Sequence, residues 1–263
     1  MSSSPPSPPA SPDQGHVAVH VADGVATVRF SHPKGNSLPG ALLHRLASEV
    51  GRLSGADAAR VIVLRSEGTG PFCAGASFDE LRSIRTAEVG KEFFMGFARL
   101  ILAMRACPKF VLARVHGRTV GGGVGVVAAA DFAVAHEGAS VKLSELAVGI
   151  GPFVVGPAIE KKIGLAAFQA LAVDATEWRS AAWAAQAGLY ARVVPSVAEL
   201  DAAVDSLAGR LARSNPAAMA QMKQVFWQGT EGWDALLERR AEMSGTLVLS
   251  DFTRDAIASF AAR

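Results

Sequence analysis

The chain has 263 residues, half of them hydrophobic and 19% charged, and its 26 basic and 24 acidic side chains leave a formal net charge of +2. That length buries a substantial core, as one large domain or as a domain with an appendage. The near-neutral balance excludes a broad electrostatic drive towards nucleic acid, so an anionic ligand must be held locally.

The two cysteines, Cys73 and Cys107, show neither CxxC spacing nor a nearby His pair. They argue against a disulfide framework or a structural zinc site, suit a reducing compartment, and are expected in the core. The opening MSSSPPSPPASPDQG (1–15) is Pro/Ser-rich without an apolar h-region or an Arg-rich amphipathic pattern, and is expected to be a disordered tail. No apolar stretch approaches the roughly 20 residues that span a bilayer. A cytoplasmic protein with no membrane association and no nucleic-acid partner is the expectation.

From His16 the text alternates: HVAVHV, a turn at Asp23-Gly24 and VATVRF predict a hairpin. A helix follows through PGALLHRLASEVGRL, with Leu42, Leu46, Val50 and Leu53 on one face. RVIVLRS (60–66) is a buried strand, the turn-rich EGTGPFCAGAS ends it, and helices are expected from near Phe78 and over GKEFFMGFARLILAMRA. KFVLARV (109–115) and DFAVAH (131–136) are the next strands. Strands alternating with helices require crossovers, which makes the fold α/β with a largely parallel sheet. Beyond Pro195 the pattern turns helical: Leu200, Val204, Leu207 and Leu211 share a face, Asn215-Pro216 supplies a cap and a first-turn proline, and DFTRDAIASFAAR ends the chain. The division is a tail (1–15), a core (16–195) and a helical region (196–263).

VGGGVGVVAAAD (120–131) admits three readings. Gly123-x-Gly125-x-x-Ala128 fits a dinucleotide fingerprint with Glu145 twenty residues after Gly125 (145 − 125), but Gly117-Arg118-Thr119-Val120 intervene after KFVLARVH and a further αβ unit precedes it. The glycines can serve close packing alone. Or their amides, at a helix N-terminus, can bind a developing negative charge, given a partner donor elsewhere.

FCAGASFDEL (72–81) offers that partner. Together FCAGAS, VHGRTVGGGVG and SELAVGIGP, with SHPKGNSL (31–38) and AWAAQAGLYARVVP (182–195), resemble the enoyl-CoA hydratase/isomerase, or crotonase, family from about Val25 to the C-terminus. The resemblance implies a spiral of ββα turns with a helical C-terminal trimerisation region, a homo-trimer or hexamer, and an acyl-CoA thioester substrate with no separate cofactor and no metal. It implies backbone oxyanion donors at Ala76 and Gly122. It also implies CoA contacts at Lys34, Gly35 and Ala74, and at Phe260 and Arg263 in SFAAR. For Lys34 and Arg263 a solvated surface charge is the competing reading, and for Phe260 a core position.

Family hydratases use two glutamates, which fall here on Gly125 and Glu145, so one carboxylate is missing. Hydration needs a base for water and an acid for carbon; moving a double bond from position 3 to position 2 needs one shuttling carboxylate. The pattern therefore favours isomerisation, with hydration as the alternative if another acid serves, and an acyl-CoA thioesterase or a non-catalytic acyl-CoA-binding protein as rivals. Glu145 could instead only cap a helix. Asp79, Glu80, Asp131 and Glu137 read as surface or cap residues. Neither Ser77 nor Ser144 sits in G-x-S-x-G. Ser77 stands where many relatives carry Asp, and Phe153, Val154 and Val155 are expected to narrow or dry the pocket.

Overall fold

Asp23 and Gly24, both at positive φ, close the hairpin between β1 (His16–Ala22) and β2 (Val25–Ser31) in a computed structural model that describes residues 15–261. The expected tail therefore lies almost wholly outside the described residues. Helix α1 (Gly40–Ser54) buries the predicted face of Leu42, Leu46, Val50 and Leu53. Then come β3 (Val61–Ser66), α2 (Phe78–Ser83), α3 (Ala87–Ala106) and β4 (Val111–Val115). They are followed by β5 (Thr119–Val120), α4 (Gly122–Ala129), β6 (Phe132–His136) and β7 (Ser140–Lys142). Next are α5 (Gly156–Val173), β8 (Arg179–Ser180), α6 (Ala181–Gln186) and β9 (Arg192–Val194). Four helices finish the chain: α7 (Val197–Ala212), α8 (Pro216–Phe226), α9 (Trp233–Leu247) and α10 (Asp251–Ala261).

The main sheet runs β1-β2-β3-β4-β6-β9 and is parallel from β2 onward. Its inner strands β3, β4 and β6 read as apolar runs because both faces are covered. On one side Ile62, Leu64, Val111 and Ala113 join the large core with α1 and α3; on the other Val61, Val63, Leu112 and Val134 meet Leu200, Val204 and Ala208 of α7 and Met219 of α8. Cys73 and Cys107 are buried free thiols, as expected.

A second, narrow ladder positions the site. After each of four main strands the chain turns back and adds one rung: Leu38 beside Ala76, Cys73 beside Thr119, and β5 beside β7, with β8 as the outer strand. Gly75 and Lys142 oxygens accept from Leu38 N at 2.8 Å and Gly121 N at 2.9 Å, which locks successive turns in register. A helix or 3₁₀ turn starts just after each rung, so residues 76–78, 121–122 and 144–146 are brought alongside one another although 45 and more positions can separate them in sequence.

Candidate active site

Where those helix starts meet, a cleft of about 610 Å³, open mouth included, is lined by Ala74, Ala76, Gly121, Gly122 and Glu145. Leu81, Phe94, Phe97, Val148 and Phe153 to Val155 make its walls apolar. Ala76 sits between two ladder bonds, Leu38 N to Gly75 O and Ser77 N to Leu38 O, which turns its own N–H away from the ladder. Gly122 is the first residue of α4, whose leading N–H groups have no intrahelical acceptor. Among the described residues neither amide donates to a protein acceptor. Two residues whose amides have no protein acceptor, one of them at a helix N-terminus, therefore line one cleft.

Each glycine of the run answers to a neighbour. Gly121 has φ of +53°, and a Cβ there would lie 3.1 Å from Glu145 Oε1. On Gly122 it would strike the Phe97 ring, and on Gly123 it would lie 2.7 Å from Cys73 Sγ. On Gly125 it would collide with Val155 Cβ and lie 2.6 Å from Cγ1. Apart from the edge of Gly121 and Gly122 that lines the cleft, the segment is tightly packed, and the dinucleotide reading has no open phosphate-binding loop to rest on.

Glu145 precedes the 3₁₀ turn Leu146–Val148 but makes no side-chain cap bond, so the capping role is set aside. The residue keeps partial exposure, while its Oε2 is sealed and without a hydrogen-bond partner. Loss of hydration in this apolar setting raises its pKa to about 7. Among the described residues no other carboxylate and no histidine lines the cleft.

The four other acids are accounted for elsewhere. Asp79 pairs with the Lys34 ammonium and, at 3.3 Å, with Arg82, which holds its carboxyl below the usual range. Glu80 accepts from Gly40 N at 2.7 Å and so caps α1, whose own N-cap residue is Pro39. Glu137 is exposed. Asp131 corrects the expectation of a surface or capping acid: its side chain is nearly inaccessible, 2.9 Å from Lys223 Nζ, and accepts from Val111 N at 2.7 Å. Lys223, itself nearly inaccessible, lies on α8, too far along the chain for sequence reading to pair them.

Ser77 caps α2 by accepting from Glu80 N. Gly35 and Ala74 are joined by the bond from Ala74 N to Gly35 O at 3.0 Å, next to Lys34. Phe260 belongs to α10, and Arg263 lies outside the described residues. Sequence reading missed Ser244, which reaches the cleft from α9. A face of Trp233, Leu237 and Ala241 was available as a signal, but small residues dominate its end, where Gly245 packs against Gly90 of α3. Helix α5 was also missed.

The family model described as enoyl-CoA hydratase/isomerase matches residues 20–259. A Rhodobacter capsulatus protein named "Probable enoyl-CoA hydratase" is 28% identical, over 93% of this chain and 94% of that protein. The peroxisomal Delta(3,5)-Delta(2,4)-dienoyl-CoA isomerase of Arabidopsis thaliana is 28% identical, over 76% of each chain. The solved structure of an enoyl-CoA hydratase from Mycobacterium avium superposes with a TM-score of 0.82 at 28% identity, covering 94% of this chain and 96% of that one.

Proposed function

The chain belongs to the enoyl-CoA hydratase/isomerase family and has the crotonase fold, and we propose that it isomerises the double bond of an acyl-CoA thioester with Glu145 as its single acid/base. The observation that carries this reading is the pair formed by Glu145 and Gly125: one carboxylate in an apolar cleft, and Val155 packed over the position where a second would emerge. Glu145 takes a proton from C2 of a 3-enoyl thioester, and electrons move into a dienolate whose oxygen is held by the Ala76 and Gly122 N–H groups. The same carboxyl returns the proton to C4, leaving the 2-enoyl product. A pKa near 7 suits a group that must both take and give a proton at neutral pH. The apolar walls at Phe97, Phe153 and Val155 limit the access of water to the dienolate.

Lys34, Gly35 and Ala74, contiguous at the cleft's edge, would meet the CoA moiety, and the family resemblance adds Phe260 and Arg263 to its contacts. CoA enters as part of the substrate, and no cofactor is invoked. Large apolar side chains left exposed on α8, Met222, Val225 and Phe226, supply a face for assembly into a trimer or a dimer of trimers. A cytoplasmic location is part of the reading; no helix among the described residues is long and apolar enough to cross a membrane.

Hydration is the second reading, favoured by the names of relatives. It asks Glu145 to activate water and protonate carbon alone. A thioesterase would need a base for Ser144 or Ser244, and no histidine of the described residues lines the cleft. Incubation with 2-enoyl- and 3-enoyl-CoA, followed by the absorbance of the conjugated thioester and by product mass, separates these: isomerisation makes conjugated product from the 3-enoyl ester with no gain of water.

A further inference from the structure

Behind Leu81 the structure holds a second concavity, of about 750 Å³ with its mouth, lined by Leu81, Ile84, Val248 and Ile257 and by Arg82, Arg85 and Arg254. The four apolar residues are buried, the three arginines are exposed, and no carboxylate of the described residues lines the pocket. Arg82 is engaged by Asp79 at 3.3 Å, and Arg85 donates to the carbonyls of Arg82 and Ile84. The guanidinium of Arg254, reaching in from α10, makes no ion pair or hydrogen bond among the described residues, while its backbone N–H donates to Ser250 O. Leu81 lines this pocket and the catalytic cleft alike.

We propose that this pocket receives a carboxylate at the far end of the acyl group, so that the substrate is the CoA monothioester of a dicarboxylic acid. The inference rests on the acyl-CoA reading but not on which reaction follows. Leu81 stands between the two cavities, so an aliphatic chain that displaces its side chain would meet an apolar floor, and guanidinium groups at the rim match a carboxylate in geometry and charge. The CoA-contact residues Lys34, Gly35 and Ala74 line no part of it, and its apolar floor suits a methylene chain better than a diphosphate.

Saturated ligands test the proposal without turnover. Titration calorimetry compares CoA monothioesters of five- to eight-carbon dicarboxylic acids with monocarboxylic thioesters of equal length, and with free CoA. At one or more lengths the diacid ester is expected to bind at least tenfold more tightly. Arg254→Gln, and separately Arg85→Gln, should erase that preference while leaving the monoacid esters and free CoA within about twofold. The proposal is overturned if no length shows a preference, or if the variants weaken free CoA and both ester series alike, which would place CoA phosphates at the arginines. Failure of every acyl-CoA to bind would overturn the acyl-CoA reading itself and this inference with it, whereas tight binding of diacid esters without isomerisation would leave the inference standing.

Discussion

Val155 fills the space over Gly125: any side chain at position 125 would run into Val155 Cβ and Cγ1. The missing second carboxylate is therefore matched by a residue thirty positions away (155 − 125) that occupies its room.

Gly125→Glu alone is expected to destabilise the fold by about 1–3 kcal/mol through overpacking, without gain of hydration. Gly125→Glu combined with Val155→Ala should recover most of that loss. Urea unfolding of the two singles and the double measures the coupling; purely additive effects would show that the two side chains do not compete for one space.

Glu145→Gln should lower kcat about 10²–10⁴-fold with little change in KM, because the amide keeps the shape of the carboxylate but cannot move the proton. Steady-state kinetics with a 3-enoyl-CoA check this, and an equal fall in binding would speak for a structural role instead.

The raised pKa of Glu145 predicts two pH effects. As a base it works ionised, so kcat/KM should rise as pH increases through about 7. Its folded pKa lies above the ordinary 4.5, so the native state binds the proton more tightly than the unfolded chain does. Stability then falls as pH rises from 4.5 to 7, by about 3 kcal/mol in all, and levels off above. Glu145→Gln should lack that fall, so its stability advantage over the parent grows across this window; pH-dependent denaturant unfolding of both measures it.

Lys223 and Asp131 form a buried ion pair remote from the cleft. Lys223→Met should cost about 3–5 kcal/mol by stranding the carboxylate, while Lys223→Met with Asp131→Leu should cost much less. Thermal melts report the cost, and kcat per folded molecule should stay unchanged.

The alternation of strands and helices was legible because both faces of the sheet are covered, so β3, β4 and β6 read as short apolar runs between helical stretches. The Asn215 cap was legible too, and it accepts from Ala217 N and Ala218 N. Periodicity did not reveal why Ala76, Gly122 and Glu145 meet; motif resemblance named them. Their convergence depends on ladder rungs of one to three residues, Leu38 to Ala76, Cys73 to Thr119 and Val120 to Lys142, too short to alternate. The opposition of Val155 to Gly125 and the arginine pocket behind Leu81 are equally silent, since each joins segments with no common pattern.

The central claim is that one carboxylate shuttles a proton between C2 and C4. It is tested most directly by incubating the protein with a 3-enoyl-CoA in deuterated water and following product mass and double-bond position. The account predicts a 2-enoyl-CoA whose deuterium, where present, lies at C4 or C2, with no added water and with loss of conversion in Glu145→Gln. A 3-hydroxyacyl-CoA as the main product, or conversion undiminished in Glu145→Gln, would contradict it.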